Sequence, residues 1–259
     1  MRSLNSRFRK LAERIRLGPR PPSWVIGDDL GVEGFFAELR DRQLRYAVLR
    51  WFDDLPYIPP GHDVDLLVHD DDVAKVQALL TARHAKPGVK CDLYSVSGLP
   101  GTAHRAAGRE LGVPYFPPGR AEALLTAAEY RGLYRAPRVE DHFLSLAYHA
   151  VYLKGPRSGL PSRHPQVVPE PSPRHDYAAT LALLSRAAGI DVPIEMEALD
   201  EYLASRGWRP PGPVIEALLP HNRWIAAHFG ASASGGVVSL CPPKKFMASQ
   251  SRLWRKTAM

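Results

Sequence analysis

Two aspartates separated by one residue, Asp63 and Asp65, lie in an apolar segment whose alternation is typical of a β-strand. Successive side chains of a strand point to opposite faces. The two carboxylates therefore share one face, while Val64, Leu66 and Val68 share the other. Asp is disfavoured inside strands, and like charges on one face repel each other unless a cation lies between them. Carboxylate oxygens are ligands that Mg²⁺ and Mn²⁺ prefer, so the pattern predicts a divalent metal site.

A third carboxylate follows on a second apolar segment. Residues 89–96 are predicted to form another strand, with Lys90 and Asp92 on one face. If this strand lies beside the first, Asp92 joins Asp63 and Asp65 in a three-carboxylate cluster. Such a cluster can hold paired metal ions that bridge phosphate oxygens. The alternative is an exposed edge strand whose acidic face is solvated, with Asp92 unrelated to the other two.

The chain around these aspartates has the pattern of a compact α/β unit. A helix comes first, and an apolar strand follows it. A proline-rich segment, in which a regular helix cannot form, leads into the first aspartate strand. A helix then connects the two aspartate strands. We predict these elements, in chain order, at residues 32–44, 46–51, 52–60, 61–68, 70–84 and 89–96.

From about residue 120 the apolar residues recur at helical spacing. A segment rich in proline, at residues 155–174, is predicted to be a long loop, a mobile lid or a disordered stretch. The sequence thus predicts an α+β fold, in which a small mixed-sheet domain at 23–119 precedes an α-helical domain at 120–229. The natural ligand site is a cleft between them. The predicted helices of the second domain are 121–129, 139–154, 176–187, 195–206 and 214–228, the last interrupted near Pro220.

The basic charge of the chain lies in its two ends. Residues 1–22 hold seven basic residues and one acidic residue, and residues 243–259 hold five basic residues and no acidic one. Because the whole chain carries +7, the residues between them are mildly acidic. A nucleic-acid-binding domain carries its basic patch on the folded body, so this distribution argues against a nucleic-acid partner.

Both ends also carry apolar residues among the basic ones. We interpret residues 1–22 as a basic amphipathic segment, and residues 230–259 as a linker followed by a basic tail. They can contact an anionic membrane surface or pack as helices on their own domain. Two cysteines, no signal-like apolar segment and no membrane-spanning run predict a cytoplasmic protein, peripheral at the membrane if the basic ends bind lipid.

The order of strand, Asp-Val-Asp, helix, strand and Asp resembles the nucleotidyltransferase (polymerase-beta-like) superfamily. Residues 46–68 look most like the poorly characterised nucleotidyltransferases associated with bacterial surface-polysaccharide genes. The resemblance covers residues 44–96 and extends more weakly to about residue 160. It implies Mg²⁺- or Mn²⁺-dependent transfer of a nucleotidyl group from a nucleoside triphosphate to a hydroxyl acceptor on a sugar, lipid-linked glycan or protein.

By this resemblance Asp63 and Asp65 bind the metal, and Asp92 is a third ligand or the base that takes the acceptor's proton. The cationic residues that would steady the phosphates are Arg50, Lys90 and Arg105. The superfamily usually carries a Gly-Ser pair after its first strand, where this chain has residues 50–53, Arg-Trp-Phe-Asp. Arg50 can supply bidentate phosphate contacts in its place.

Two other functions fit parts of the same pattern. An Asp-x-Asp glycosyltransferase would use the two aspartates to hold a metal-bound nucleotide sugar. That architecture places a nucleotide-binding α/β half before its motif, and only about 60 residues precede Asp63. The other alternative is a non-catalytic, nucleotidyltransferase-like binding module, which the missing Gly-Ser pair favours and the three carboxylates oppose.

Overall fold

The alternating segment around Asp63 forms one strand of a five-stranded mixed sheet. The computed structural model describes residues 23–82, 87–106 and 109–233, with the backbone alone for 231–233. The strands of the sheet are β1 (Trp24–Gly27), β2 (Tyr46–Val48), β3 (Asp63–Val68), β4 (Thr81–Ala82) and β5 (Gly88–Ser95). Their order is β2–β3–β5–β1–β4. The β3–β5 pair is parallel and the other three pairs are antiparallel.

Eight α-helices lie in the described ranges, so the architecture is mixed α+β. Two short hairpins are formed by β6 (Arg105–Ala106) with β7 (Arg109–Glu110), and by β8 (Glu129–Arg131) with β9 (Tyr134–Ala136). The helices are α1 (Gly31–Asp41), α2 (Val73–Gln77), α3 (Pro118–Ala127), α4 (Val139–Tyr148), α5 (Tyr177–Ala188), α6 (Met196–Ser205), α7 (Gly212–Leu218) and α8 (Arg223–Ala233). None of these helices has the length and apolar composition that a bilayer-spanning helix requires.

The two faces of the sheet contact different parts of the chain. The apolar residues Val64, Leu66 and Val68 of β3 pack against α1 and α2. On the opposite face, Leu67 of β3 and Tyr94 of β5 pack against the helices that follow residue 117. Because Asp63 and Asp65 share the face of Leu67, the alternation directs both carboxylates toward the helical part of the molecule.

Several predicted elements are confirmed, and others need correction. Strands form at the three predicted places, although the first ends at Val48 and is shorter than the predicted 46–51. The predicted break near Pro220 separates α7 from α8. The helix predicted over 70–84 is wrong. It is a turn of 3₁₀-helix (Asp70–Asp72) followed by the five residues of α2, because Thr81–Ala82 leaves to pair with β1.

The remaining differences concern the ends of helices. The predicted helix over 139–154 is α-helical only to Tyr148 and continues as one π-helical turn, His149–Lys154. A 3₁₀ turn, Gly155–Ser158, starts the segment predicted to be a loop. The predicted linker at 230–236 begins inside α8, which extends to Ala233. The predictions for residues 1–22 and for the basic tail lie outside the described residues.

Candidate functional site

A cavity of about 750 Å³ lies between the acidic face of the sheet and the helical part of the molecule. The sheet contributes side chains from β3 and β5. The π-helical turn and the residues just before α5 and α8 contribute the opposite wall. All six residues predicted from sequence line this cavity, namely Arg50, Asp63, Asp65, Lys90, Asp92 and Arg105. The volume is within the range of small-molecule and cofactor sites.

The three aspartates come together through the pairing of two parallel strands. Asp65 of β3 is in register with Asp92 of β5, and Asp63 is in register with Lys90. Asp65 is buried, whereas the Asp63 side chain is 36% exposed. In the structure β5 therefore lies beside β3, as predicted, and the three carboxylates share one face.

Lys90 lies between two of these carboxylates. Its Nζ donates to Asp63 Oδ2 at 2.7 Å and to Asp92 Oδ2 at 2.5 Å. Arg105 Nη1 donates to the other oxygen of Asp92 at 3.1 Å. The like-charge repulsion that led us to expect a metal is thus relieved here by cations of the chain itself.

Arg50 supplies the partner of the third carboxylate. Its Nη2 lies 2.7 Å from Asp65 Oδ1, and its Nη1 donates to the Tyr115 hydroxyl at 2.9 Å. That hydroxyl is 2.5 Å from His149 Nδ1, and His149 Nε2 is 3.2 Å from the Tyr177 hydroxyl. A continuous hydrogen-bonded chain thus runs from the acidic cluster into the helical wall and fixes the direction of the guanidinium.

Burial and neighbouring charges move the carboxyl pKa values in opposite directions. Burial raises the pKa of Asp65 to about 7. The nearby Asp63 and Asp92 add to this rise, and Arg50 opposes it. Burial also acts to raise the pKa of Asp63, but the hydrogen bond and charge of Lys90 outweigh it and lower the value. Asp65 is thus a cavity carboxyl whose charge changes near neutral pH.

Two further cations face the cavity without an acidic partner among the described residues. Lys154 ends the π-helical turn, and Arg157 follows in the 3₁₀ turn. Burial lowers the pKa of Lys154, and the positive charges of Arg50 and Arg157 lower it further. A desolvated ammonium next to like charges is stabilised by an anion, so this wall suits an anionic ligand.

The backbone is strained where the chain leaves the sheet after Arg50. Trp51 has a φ of 54°, which is rare for a bulky residue. Its ring stacks on His175 with centroids 4.1 Å apart and planes 7° apart. Strain of this kind persists where surrounding contacts enforce it, and it is often found at functional sites. This segment takes the place of the helix-initiating Gly-Ser pair named in the resemblance.

Sequence reasoning misses most of the wall opposite the sheet. Neither His149 nor Lys154 is among the site residues predicted above, although both line the cavity. The remaining cavity residues that the sequence does not identify include Tyr115, Arg157, His175 and Tyr177. One sequence signal could have identified this wall: two basic residues three positions apart, Lys154 and Arg157, directly follow a strongly apolar helix.

The donor chemistry of the cluster fits a hard divalent cation, since all three ligands are carboxylates on one face. In this conformation the three do not each bring one oxygen within 4.8 Å of the others. The group that does so among the described residues is His164, Glu197 and His228. Binding of one Mg²⁺ by all three aspartates would therefore require their side chains to reorient and the Lys90 ammonium to move away.

Comparisons of the chain with protein-family models, with curated proteins and with solved structures find no match. What the cavity does must therefore be argued from its own chemistry.

Proposed function

We propose that the protein is a metal-dependent nucleotidyltransferase that moves a nucleotidyl group from a nucleoside triphosphate to a hydroxyl acceptor. The supporting observation is the placement of Asp63, Asp65 and Asp92 on one face of two paired strands, at a cavity whose opposite wall is cationic. A phosphoryl-transfer site needs two parts: carboxylates that hold a metal and, opposite them, cations that hold the phosphates. Surface-polysaccharide metabolism is the setting that the resemblance suggests for the acceptor.

Charge and size favour a phosphorylated ligand. Among the described residues, five lysines and arginines line the cavity against three carboxylates, so the site carries an excess of positive charge when all are ionised. A triphosphate would supply the missing negative charge and would relieve the desolvation of Lys154. The partly buried ring of Trp51 also lines the cavity and offers an aromatic surface beside the cations.

The roles of the residues follow from these positions. Asp63, Asp65 and Asp92 would hold Mg²⁺ or Mn²⁺, and the ammonium of Lys90 marks the point on which two of them already converge. When bound, the metal supplies charge neutralisation at the phosphates. Lys90, released from the carboxylates, is then positioned to contact a phosphate, as are Lys154 and Arg157.

In the transfer itself, the acceptor oxygen forms a bond to the α-phosphorus while the bond to the leaving pyrophosphate breaks. The hydroxyl proton passes to a carboxylate of the cluster. Arg50 holds Asp65 in place through a buried ion pair, and Arg105 does the same for Asp92.

The test is release of pyrophosphate from each of the four common nucleoside triphosphates, with Mg²⁺ or Mn²⁺ and a panel of sugar, glycan and protein acceptors. We expect Asp63→Asn, Asp65→Asn and Asp92→Asn each to lower turnover by roughly 10³-fold, because several kcal/mol of charge stabilisation are lost. The exposed Asp191→Asn is the matched control and should leave turnover unchanged. A wild-type protein as inert as its three variants under every condition would refute the proposal.

A second candidate is a non-catalytic module that binds a phosphorylated ligand. The ion pairs of Lys90, Arg50 and Arg105 favour it, because they neutralise all three carboxylates without a metal. Calorimetry separates the two functions. The module would bind a triphosphate equally well with and without Mg²⁺ and release no pyrophosphate. Protection from thermal unfolding by a nucleotide sugar, but by no triphosphate, would instead indicate the glycosyltransferase alternative.

A further inference from the structure

A second polar cluster lies in the helical part of the molecule. It joins three separate elements: His164 in the loop of residues 159–176, Glu197 in α6 and His228 in α8. His164 Nε2 is 3.0 Å from His228 Nδ1 and 3.8 Å from Glu197 Oε1. One ligand atom from each of the three residues lies within 4.8 Å of the others. Sequence reasoning does not identify this group.

A buried carboxylate orients one of the two imidazoles. His228 Nε2 lies 3.5 Å from Asp200 Oδ2, and Asp200 is fully buried. Asp200 is held in turn by the Tyr152 hydroxyl at 2.5 Å and by Arg209 Nε at 3.0 Å. A carboxylate beside one ring nitrogen favours the proton there, which leaves His228 Nδ1 with its lone pair directed at His164. Metal-binding histidines usually have this arrangement.

The carboxylate of Glu197 is also held in place. Its oxygens accept hydrogen bonds from Ser162 Oγ at 2.6 Å, from the Arg163 amide at 3.0 Å and from Trp224 Nε1 at 2.7 Å. These three donors fix the position of the Glu197 carboxylate beside the two imidazoles.

We propose that His164, Glu197 and His228 bind a zinc ion. Two imidazoles and one carboxylate are a recurrent zinc ligand set, whereas Mg²⁺ and Ca²⁺ prefer oxygen ligands alone. Bonds of 2.0–2.1 Å in a tetrahedron place ligand atoms about 3.3 Å apart. The distance from His164 Nε2 to His228 Nδ1 is 3.0 Å and that to Glu197 Oε1 is 3.8 Å, so the two lie on either side of this value. Small side-chain rotations would equalise them. The two histidines are about a quarter exposed, which leaves the fourth position to water.

The site would fix the loop that closes the main cavity. His164 lies near the start of this loop, and Arg174 and His175 lie near its end. Arg174 donates to the Gly61 carbonyl at 2.8 Å, and His175 stacks on Trp51. The loop has no regular secondary structure of its own, so a metal that joins it to α6 and α8 would reduce its freedom. We therefore expect the zinc to hold this loop against α6 and α8.

The experiment is titration of metal-free protein with zinc in competition with a chromogenic chelator. We expect one zinc per chain and a higher midpoint of thermal unfolding when zinc is present. His164→Ala and His228→Ala should each weaken zinc binding by more than about 100-fold, since loss of a residue that only orients a metal ligand already costs about 10–100-fold. His69→Ala, on a histidine outside the cluster, is the matched control and should bind as the wild type does.

Two further measurements locate the metal. The triple variant Asp63→Asn, Asp65→Asn and Asp92→Asn should still bind one zinc with wild-type affinity, because its histidine cluster is intact. X-ray absorption of the zinc-loaded wild type should show two imidazole ligands, a result that does not depend on any variant folding. Absence of zinc binding, zinc retained by both histidine variants, zinc lost from the triple variant, or a spectrum without imidazole would each overturn the assignment.

Discussion

The carboxylate cavity and the histidine cluster each stabilise a buried carboxylate, but by different means. Asp65 faces the Arg50 guanidinium and two other carboxylates, and burial raises its pKa to about 7. Glu197 receives three hydrogen bonds from neutral donors, and these lower its pKa although burial opposes them. At Asp65 burial outweighs the charge of Arg50, whereas at Glu197 the hydrogen-bond donors outweigh burial. The difference indicates that Asp65 can change its charge near neutral pH, whereas Glu197 stays ionised.

The largest effect should follow from removing the guanidinium at Asp65. Arg50→Ala leaves a buried carboxylate without its partner, and breaking a buried pair costs about 3–5 kcal/mol. Urea unfolding at pH 8, where Asp65 is ionised, measures this cost. Arg42→Ala is the matched control, because Arg42 pairs with Glu38 in an exposed i,i+4 arrangement worth about 0.5 kcal/mol or less. Equal losses for the two variants would show that the pair at Asp65 is not energetically distinct.

The next effect concerns the π-helical turn, which connects the two sites. Tyr152 in this turn lines the cavity and also donates to Asp200 beside the histidine cluster. The turn ends at Gly155, which has a φ of 56°, and a Cβ there would lie 2.2 Å from Asn222 Oδ1. Asn222 donates to the Val151 and Tyr152 carbonyls and accepts from two amides at the start of α8.

We therefore expect Gly155→Ala to destabilise the fold more than a positive φ alone would. Gly189 is the reference, because it has an ordinary left-handed conformation (φ 65°, ψ 30°) and no atom lies within 4 Å of the position that a Cβ would occupy there. Gly189→Ala should cost about 1–2 kcal/mol. Gly155→Ala should cost at least about 1 kcal/mol more, because its φ of 56° and ψ of −130° suit glycine alone and because hydrogen bonds of Asn222 are disturbed. Thermal or urea unfolding of both variants gives the comparison. Equal costs would show that Asn222 moves aside without penalty.

A smaller effect should follow from removing one of the three donors to Glu197. Ser162→Ala deletes the hydroxyl that donates at 2.6 Å, and a hydrogen bond to a charged group contributes about 1.5 kcal/mol or somewhat more. Ser205→Ala is the control, since its exposed hydroxyl donates to a carbonyl of its own helix. We expect its unfolding free energy to change by less than about 0.5 kcal/mol. A neutral Ser162→Ala would mean that the two remaining donors suffice for Glu197.

The two sites also differ in what the sequence could predict. Asp63, Asp65, Lys90 and Asp92 lie on two strands whose alternation is visible locally, so their shared face followed from spacing alone. Their pairing needed only the parallel neighbour relation of β3 and β5. The histidine cluster gathers residues from three elements up to 64 positions apart, and no local pattern connects them. Its assembly depends on tertiary packing, which the sequence does not display.

The errors in the predicted elements have the same origin. The sequence does not reveal β1, which forms by non-local pairing with β5 and β4, and it overestimates the helix after Val68, which ends where β4 pairs with β1. Long-range strand pairing overrides local helical spacing. The metal prediction rested on repulsion between the carboxylates, and in the structure Lys90 and Arg50 relieve part of that repulsion. That Arg50 reaches Asp65 depends on the tertiary arrangement, which the sequence does not display.

The smallest expected effect is a change in the titration of Asp65. Its pKa rises from 3.8 in the unfolded chain to about 7 in the folded protein, so the folded state binds the proton more tightly. Stability from this group is therefore fully present below about pH 4 and is lost as the pH rises through 7. Asp92→Asn removes one of the charges that raise this pKa, so the pKa of Asp65 should fall. The loss of folding stability with rising pH should then be complete at a lower pH than in the wild type. Carboxyl ¹³C NMR, with the Asp65 signal assigned from Asp65→Asn, measures the pKa directly, and Asp191→Asn should leave it unchanged. An unchanged titration in Asp92→Asn would show that burial alone sets the pKa of Asp65, and that the three carboxylates do not act as one cluster.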